Sequence, residues 1–294
     1  MSRLINLVES SKARRKRLIV AAADDDVVLA AIKSAVEYEI VFPVLVGPRI
    51  DIEELSKQVR LNLSQCEIVD VPKDQSVTKA VELASKNGEL LMKGSVKTSD
   101  LMRTVLQEEY GLRIGATITM VSVFDIPSYH KLLAITDAGM IISPTLDQKI
   151  DMINISVKVM KKLGVQKPKV AILGAVEVPN AKMPATVDAA VLSKMNDRGQ
   201  IKDCIVDGPF ALDNAVSIQA ARHKGIESVV AGDADILIMP DIEAGNIFYK
   251  SMVFLANAKV ASVILGAKLP IVLTSRADSD ETKLYSIALA AMLS

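Results

Sequence analysis

The chain has 294 residues, which is enough for two domains of ordinary size, each with its own hydrophobic core. Half of the residues are hydrophobic, but only 3% are aromatic and tryptophan is absent, so the cores must be aliphatic. Lys plus Arg equals Asp plus Glu at 35 each, and this balance excludes an overall electrostatic field that would attract nucleic acid or an anionic membrane.

Strand and helix signals alternate along the whole chain, which is typical of parallel sheets with helical crossovers. The first predicted elements are strand 17–23, helix 26–38, strand 42–46, helix 52–59, strand 67–71, helix 77–87, strand 90–93 and helix 98–109. Strands near 117–124 and 132–142 follow, then an amphipathic helix 146–162, strand 169–173, helix 184–195, strand 204–206, helix 214–223, strand 236–239 and helix 245–258. The strands ASVILG and LPIVLTS and a last helix end the chain.

This order predicts an α/β protein made of two α/β/α domains with mainly parallel sheets. We place the domain change near residue 140, and we expect the last forty or so residues to return to the first domain. The predicted domains are therefore 1–138 with 256–294, and 139–255.

Membrane, disulfide and zinc signals are missing from the sequence. No apolar run approaches the roughly 20 residues that span a bilayer, and the charged stretch KARRKR at 12–17 is not followed by the apolar core of a signal peptide. We therefore expect a cytoplasmic protein. Cys66 and Cys204 are isolated in sequence, and we expect both to be buried apolar side chains.

Several familiar catalytic motifs are also missing. The sequence has no Gly-x-Gly-x-x-Gly, no phosphate-binding Gly-Lys-Ser/Thr loop, no His-Glu-x-x-His and no Gly-x-Ser-x-Gly. Because His130 and His223 are its only histidines, a serine–histidine hydrolase or a histidine-rich metal site is hard to assemble. We expect His223 to end a helix and His130 to lie in a loop.

Four predicted strand-to-helix junctions remain polar, and ligands of α/β sheets bind at the carboxyl ends of the strands. In the first, LLMKGSVKTSDLMRTVLQ at 90–107, Gly94 and Ser95 leave a strand, and Gly94 would let a ligand approach the backbone closely. Thr98 or Ser99 would then cap a helix that carries Arg103. A capped helix with a solvated Arg103 explains the same residues equally well.

The second and third junctions differ in how well ordinary turns and helix capping explain their polar residues. In VDGPFALDNAVS at 206–217, Gly208 and Pro209 suffice to predict a turn out of a strand. In ILIMPDIEAGNIFYK at 236–250, two carboxylates and an amide before a helix exceed what capping requires. The residues that mark this third junction are Asp241, Glu243, Gly245 and Asn246.

The fourth junction is LPIVLTSRADSDETKLYSIALA at 269–290, where a buried strand is followed by Ser275, Arg276, Asp278 and Asp280. Capping by Asp278, Ser279 or Asp280 explains one of these residues. It does not explain Arg276, since a cation at a helix N-terminus is unfavourable unless an anion lies beside it. This junction predicts an anion site, whereas the aspartates at 24–26 look like an ordinary cap and first turn.

The segments MKGSVKTSDLMR, VDGPFALDNAVS, MPDIEAGNIFYK and VLTSRADSDETKLYSIALA resemble the phosphate acetyltransferase and phosphate butyryltransferase family. The last segment is most similar to the butyryltransferase branch. The resemblance implies two α/β/α domains with a cleft between them, in a fold related to isocitrate dehydrogenase. The implied reaction converts acyl-CoA and phosphate to acyl phosphate and CoA, without a covalent intermediate, a metal or a redox cofactor. It also implies a homodimer formed through the second domain.

The resemblance also implies roles for individual residues. Ser275 matches the family serine that hydrogen-bonds the tetrahedral oxyanion, and Arg276 matches an arginine associated with phosphate or CoA. Arg103 matches another anion-binding arginine. The residues expected to bind phosphate or CoA are Arg276, Arg103, Gly94, Ser95, Asp241, Gly245 and Asn246.

The general base is the point at which the sequence departs from the family. The acetyltransferases have an aspartate seven residues after the serine, and that position is Thr282 here. Asp278 and Asp280 are the nearby candidates for the base, and Asp241 and Glu243 are remoter ones.

Two other functions remain open from the residues alone. The first is a dehydrogenase or decarboxylase of the related fold, which would use a nicotinamide cofactor and magnesium. The second is a non-catalytic sensor of CoA or a metabolite. The sequence does not fix the length of the acyl chain, because one methylene changes discrimination by only about 1–3 kcal/mol.

Overall fold

The computed structural model describes residues 2–274 and 278–294. The chain divides into two compact units, one formed by residues up to Ala116 together with the residues from Val260 onward, and the other by Thr117–Lys259. The first crossing lies earlier than the predicted change near residue 140. The reason is that two strands at 119–125 and 132–136 pair with each other, and the second of them pairs with a later strand of the second unit.

The first unit begins with a short helix and then alternates strands with helices. Its elements up to Ala116 are α1 (Ile5–Ser11), β1 (Lys16–Ala21), α2 (Asp26–Glu37), β2 (Val41–Gly47), α3 (Arg49–Val59), β3 (Glu67–Asp70), α4 (Ser76–Asn87), β4 (Leu90–Lys93) and α5 (Thr98–Val105). Asp25 caps α2, since its Oδ1 accepts a hydrogen bond from Val28 N at 2.9 Å. This confirms the capping predicted for the aspartates at 24–26.

The second unit contains five strands and five helices. Its elements are β5 (Thr119–Asp125), β6 (Leu132–Thr136), α6 (Leu146–Lys162), β7 (Lys169–Leu173), α7 (Pro184–Asp197), β8 (Ile205–Phe210), α8 (Leu212–Val216), α9 (Ile218–His223), β9 (Ile236–Ile238) and α10 (Ile242–Phe254). The strand order is β5-β6-β9-β7-β8, and only β5 and β6 pair antiparallel.

The C-terminal segment adds two strands and a helix to the first unit. It contributes β10 (Lys259–Leu265), β11 (Ile271–Val272) and α11 (Asp280–Leu293). The strand order is β3-β2-β1-β4-β11-β10, in which β10 and β11 pair antiparallel and the other pairs are parallel. Because β11 pairs in parallel with β4, and β4 with β1, the carboxyl ends of these three strands lie at one edge. The predicted α/β fold with mainly parallel sheets is confirmed.

Helix α11 lies in the core of the first unit. It packs against α1 and α2, and its residues from 282 to 292 are all buried. Ser11 Oγ donates to the carbonyl oxygen of Ala288 at 3.0 Å, so α1 is tied to α11 by a buried hydrogen bond. In the part of the chain that the structure describes, no helix is long and apolar enough to cross a membrane.

Two local predictions in the second unit are wrong. Gly208 and Pro209 do not turn out of a strand, because they lie inside β8. This strand is at the edge of its sheet, where a proline without an N–H group is tolerated. The helix predicted for 214–223 is two helices, because Ser217 has extended backbone angles and its hydroxyl caps α9 by accepting from Ala220 N.

Candidate active site

The polar junction before α11 is only partly described. Ser275 and Arg276, the two residues on which the prediction of an anion site depends, lie outside the described residues. Thr274, which precedes them and follows β11, is 4% exposed. Asp278, which follows them, is half-buried. The roles expected for Ser275 and Arg276 therefore stay predictions.

The start of α11 is capped by a hydroxyl group. Ser279 is the N-cap residue, and its Oγ accepts a hydrogen bond from Thr282 N at 3.2 Å. Asp278 and Asp280 are therefore not required as caps, and Asp280 is exposed in the first turn. Thr282 is buried, with its Oγ1 3.2 Å from Ser279 Oγ. A threonine hydroxyl cannot act as a carboxylate base, so the base must be another residue.

A pocket of about 230 Å³ lies in the first unit, where β4 and β11 end and α2 begins. Asp25 and the first turn of α2 form one side, and the other lining residues are Lys93, Gly94, Thr274 and Lys283. We call this site the lysine pocket. Lys93 and Lys283 are 6% and 2% exposed, so both ammonium groups are buried.

Sequence reasoning identified Gly94 but missed the three polar side chains around it. Lys93 ends an otherwise apolar strand, and Lys283 directly precedes the mainly apolar part of its helix, which begins at Leu284. A lysine inside a buried apolar run is rare unless it is paired, and this was the available signal. The meeting of Lys93 with Thr274 and Lys283 depends on the pairing of β4 with β11, which the order of elements does not reveal.

Gly94 is required by the chain itself. A Cβ atom at this position would lie 2.0 Å from the carbonyl oxygen of Ala22 and 2.7 Å from that of Ala21. The N–H groups of Gly94 and Ser95 donate to the Ala21 and Ala22 carbonyls, each at 2.8 Å. The close approach at Gly94 is therefore made by the end of β1, and binding of a substrate by Gly94 or Ser95 stays a prediction.

Arg103 lies on the surface of α5. Its side chain is 74% exposed, and its guanidinium is 3.6 Å from the carboxylate of Asp100. The predicted cap by Thr98 or Ser99 is wrong, because Lys97 occupies the N-cap position and makes no side-chain cap. Anion binding by Arg103 stays a prediction.

The third junction is held together by bonds within the second unit. Asp241 caps α10 through a 2.8 Å hydrogen bond from Ala244 N. A Cβ atom on Gly245 would lie 2.0 Å from the carbonyl oxygen of Asp137. Asn246 Nδ2 donates to the carbonyl of Ala138 at 3.1 Å. Each of these residues has a structural role, and its role in substrate binding stays a prediction.

Asp137 organises the loop that this junction contacts, and sequence reasoning missed it. The residue is 1% exposed. Its Oδ1 accepts from Gly139 N at 2.6 Å and Met140 N at 2.8 Å, and its Oδ2 accepts from Thr119 Oγ1 at 2.7 Å and Met120 N at 2.9 Å. Four hydrogen bonds satisfy the carboxylate, which explains how it can be buried.

The described ranges hold no cluster of metal-ligating side chains and no activated cysteine. Within residues 2–274 and 278–294, no group of three or more His, Cys, Asp and Glu side chains could hold a metal ion. Cys204 is buried as expected, whereas Cys66 is half-buried. Burial raises the pKa of each thiol to about 11, so neither is a ready nucleophile at neutral pH.

Comparison with known proteins decides the family. The model of the family described as "Phosphate acetyl/butaryl transferase" matches residues 3–90 and 73–291. The chain belongs to this family. It is 55% identical over 290 residues to the phosphate acetyltransferase of Thermotoga maritima, covering 98% of this chain and 99% of that protein. It is 47% identical over 268 residues to the phosphate butyryltransferase of Clostridium beijerinckii, covering 90% and 89%.

Solved structures agree with this assignment. A branched-chain phosphotransacylase from Enterococcus faecalis V583 matches with a TM-score of 0.82 at 30% identity, over 94% of this chain and 98% of that one. A 4-hydroxythreonine-4-phosphate dehydrogenase from Klebsiella pneumoniae matches with a TM-score of 0.56 at 13% identity, over 94% and 98%, which shows the fold alone. The predicted family is confirmed. Because a phosphate acetyltransferase and a phosphate butyryltransferase both match along most of the chain, the comparisons do not decide which acyl group is transferred.

Proposed function

We propose that the protein interconverts a short-chain acyl-CoA and inorganic phosphate with an acyl phosphate and free CoA, with butyryl-CoA or a similar thioester as substrate. The observation that carries this proposal is the match of the family model along almost the whole chain. Relatives named for the acetyl and the butyryl reaction both support a short acyl group.

The reaction needs three kinds of assistance. A phosphate oxygen attacks the thioester carbonyl, a tetrahedral oxyanion forms, and the carbon–sulfur bond breaks to release the CoA thiolate. Phosphate must be held against the carbonyl, donors must point at the developing oxyanion, and a proton must reach the thiolate or leave the thiol in reverse. These reaction steps require no metal or redox cofactor. That the enzyme uses none stays a prediction.

The roles proposed for the junction before α11 follow the resemblance. Ser275 donates to the oxyanion, and Arg276 binds phosphate or CoA. The start of α11 supports an anion there, because the N-terminus of this 14-residue helix carries partial positive charge. Arg103, Gly94, Ser95, Asp241, Gly245 and Asn246 are proposed to contact phosphate or CoA.

We rank Asp278 and Asp280 above the acids of the second unit as the general base. The ranking is supported by Ser279, which caps α11, so neither Asp278 nor Asp280 is needed for that cap. Asp241 already accepts the capping bond of α10, so its carboxylate has a structural role there. A cytoplasmic location and a homodimer formed through the second unit stay predictions.

A panel of acyl-CoA thioesters tests the proposed function. Free thiol released from acetyl-, propionyl-, butyryl- and branched acyl-CoA is measured with and without phosphate. We expect release that depends on phosphate and differs between thioesters. If no thioester reacts, the enzyme function fails and the sensor becomes the leading alternative.

The dehydrogenase alternative has a separate test. NAD or NADP with magnesium should leave the melting temperature unchanged, whereas CoA should raise it, since a ligand that binds only the folded state stabilises it. A rise with the nicotinamide cofactor alone would favour the dehydrogenase.

A further inference from the structure

Three consecutive apolar residues follow β6 in the second unit, and none of them is buried. They are Met140, Ile141 and Ile142, which we call the 140–142 run; the first two are half-buried, and Ile142 is 70% exposed. Apolar side chains that the fold leaves in water cost free energy, and a run of them is unusual in a folded protein unless it serves binding. The proposed mechanism uses none of the three.

Hydrogen bonds anchor the backbone at both ends of this run. At its start, the N–H group of Met140 donates to the buried carboxylate of Asp137 at 2.8 Å. At its end, the carbonyl oxygen of Ile142 accepts from the N–H group of Ile242, the first residue of α10, at 3.0 Å. The loop is therefore fixed by the fold while its apolar side chains stay accessible, as in a preorganised binding surface.

The run adjoins the third junction, where we propose that substrate is contacted. Because β6 pairs in parallel with β9, the loop after β6 and the start of α10 lie at the same edge of the sheet. Asn246 Nδ2 donates to the carbonyl of Ala138, two residues before the run. Gly245 approaches the carbonyl of Asp137 so closely that a Cβ atom would lie 2.0 Å from that oxygen. In parallel sheets this carboxyl edge is where ligands bind.

The run also supplies a kind of surface that the third junction lacks. The residues proposed there to contact phosphate or CoA are Asp241, Gly245 and Asn246, which are polar or have no side chain. A short-chain acyl thioester carries an aliphatic chain directly beside its reacting carbonyl. Burial of one methylene of such a chain strengthens binding about fourfold, so an apolar surface at this edge favours the longer chain.

We propose that the 140–142 run binds the acyl chain of the thioester, and that Ile142 discriminates between chain lengths. This inference rests on the proposed function and adds a specificity-determining residue to it. Acetyl-CoA presents a single methyl group, whereas butyryl-CoA presents a propyl group with two further methylenes to bury against Ile142. The ligand of the run is therefore a short aliphatic acyl group.

Ile142→Ala tests this inference, because it removes apolar surface from a side chain that the fold does not bury. The melting temperature should not change. The kcat/KM values for butyryl-CoA and acetyl-CoA are measured at saturating phosphate. Their ratio, butyryl to acetyl, should fall about threefold to fifteenfold, since two methylenes lose part or all of about fourfold each. The kcat/KM for acetyl-CoA should change much less.

Leu255→Ala is the matched control. Leu255 is 82% exposed and directly follows α10, so this variant also truncates an accessible aliphatic side chain in the second unit. Because α10 has 13 residues and rises about 1.5 Å per residue, Leu255 lies about 20 Å from the third junction. Its replacement should leave the ratio unchanged. If Ile142→Ala and Leu255→Ala give the same ratio, the inference is overturned.

Two other occupants of the run would give different results. An equal loss of kcat/KM for every thioester would mean that Ile142 contacts the CoA part of the substrate. A lower oligomeric mass of Ile142→Ala in light scattering would mean that the run contacts a second copy of the chain. Either result overturns the assignment to the acyl chain.

Binding of thioesters without phosphate separates this inference from the proposed function. Ile142→Ala should reduce the rise in melting temperature caused by butyryl-CoA more than the rise caused by acetyl-CoA. If wild-type protein releases no thiol but the variant shows this selective loss, the acyl contact stands and the proposed function falls. If wild-type protein releases thiol but the variant changes neither the stabilisation nor the kcat/KM ratio, the contact is overturned and the proposed function stands. Absence of both thiol release and stabilisation overturns both.

Discussion

Gly94→Ala should destabilise the protein strongly, because the added methyl group has no space. Its Cβ would lie 2.0 Å from the carbonyl oxygen of Ala22 and 2.7 Å from that of Ala21. Both are backbone atoms at the end of a buried strand. Relieving the contact must break or stretch the 2.8 Å hydrogen bonds from Gly94 N and Ser95 N. The two lost hydrogen bonds together contribute about 1–3 kcal/mol and the overpacking about 1–3 kcal/mol, so we expect a loss of about 2–6 kcal/mol.

Urea unfolding followed by circular dichroism measures this loss, with Gly111→Ala as the control. Gly111 has a φ of +61°, and a Cβ there would meet nothing within 4 Å. Its replacement should therefore cost only the about 1–2 kcal/mol of a left-handed alanine. If Gly94→Ala costs no more than Gly111→Ala and instead raises the KM for a substrate, Gly94 serves ligand approach and our steric reasoning is refuted.

Three further predictions concern Ser275, Asp233 and the two cysteines. Ser275→Ala should lower turnover roughly a hundredfold to a thousandfold with little change in either KM; a lower melting temperature with normal turnover would make Ser275 structural. Partial burial raises the pKa of Asp233, but hydrogen bonds from Lys131, Lys169 and His130 outweigh it and hold that pKa well below its usual range. Asp233→Asn should therefore reduce the unfolding free energy at pH 7 by about 1 kcal/mol. The difference should begin to shrink as pH falls below about 4, the unfolded-state pKa, and should be lost only as pH falls through the much lower folded-state pKa; a difference that grows as pH falls below about 4 would contradict this. Cys66 and Cys204 should resist alkylation at pH 8 and react after unfolding in urea, since burial raises the pKa of each to about 11; rapid labelling of the native protein would count against it.

The elements that local chemistry specifies were predicted closely. Helix α6 has the predicted bounds, 146–162, because Thr145 and Gln148 form a capping box at its start and Gly164 ends the pattern. The cap at Asp25 is likewise local, since its partner Val28 is three residues away. Such features depend on neighbours in sequence, and the sequence displays them directly.

Features that depend on tertiary pairing were missed. Helix α1 is only seven residues long and has no side-chain cap, and it is stabilised by packing on α11. The course of β8 through Pro209 depends on its place at the edge of the sheet. The lysine pocket joins residues of β4 to residues almost two hundred positions later, because β11 pairs beside β4. Strand order decides these contacts, and alternation of strands and helices does not reveal strand order.

The structure also gives structural roles to several residues that the sequence suggested as binding residues. The third junction seemed to hold more polar groups than capping requires, but Asp241 caps α10, and Gly245 and Asn246 contact the loop at 137–138. Polar residues that cap a helix or contact a neighbouring loop can therefore look like binding residues when only the sequence is considered. By contrast, Lys93 ends an apolar strand and was not predicted as a site residue, and it lines the lysine pocket.

The central claim, that phosphate itself accepts the acyl group, is tested most directly by measuring both products of one reaction. Butyryl-CoA and phosphate are incubated with the enzyme, free thiol is titrated, and acyl phosphate is trapped with hydroxylamine as the hydroxamate. Direct transfer predicts equal amounts of thiol and acyl phosphate, and neither product when phosphate is left out. Thiol released without phosphate, or with phosphate but without acyl phosphate, would show hydrolysis of the thioester and contradict the account.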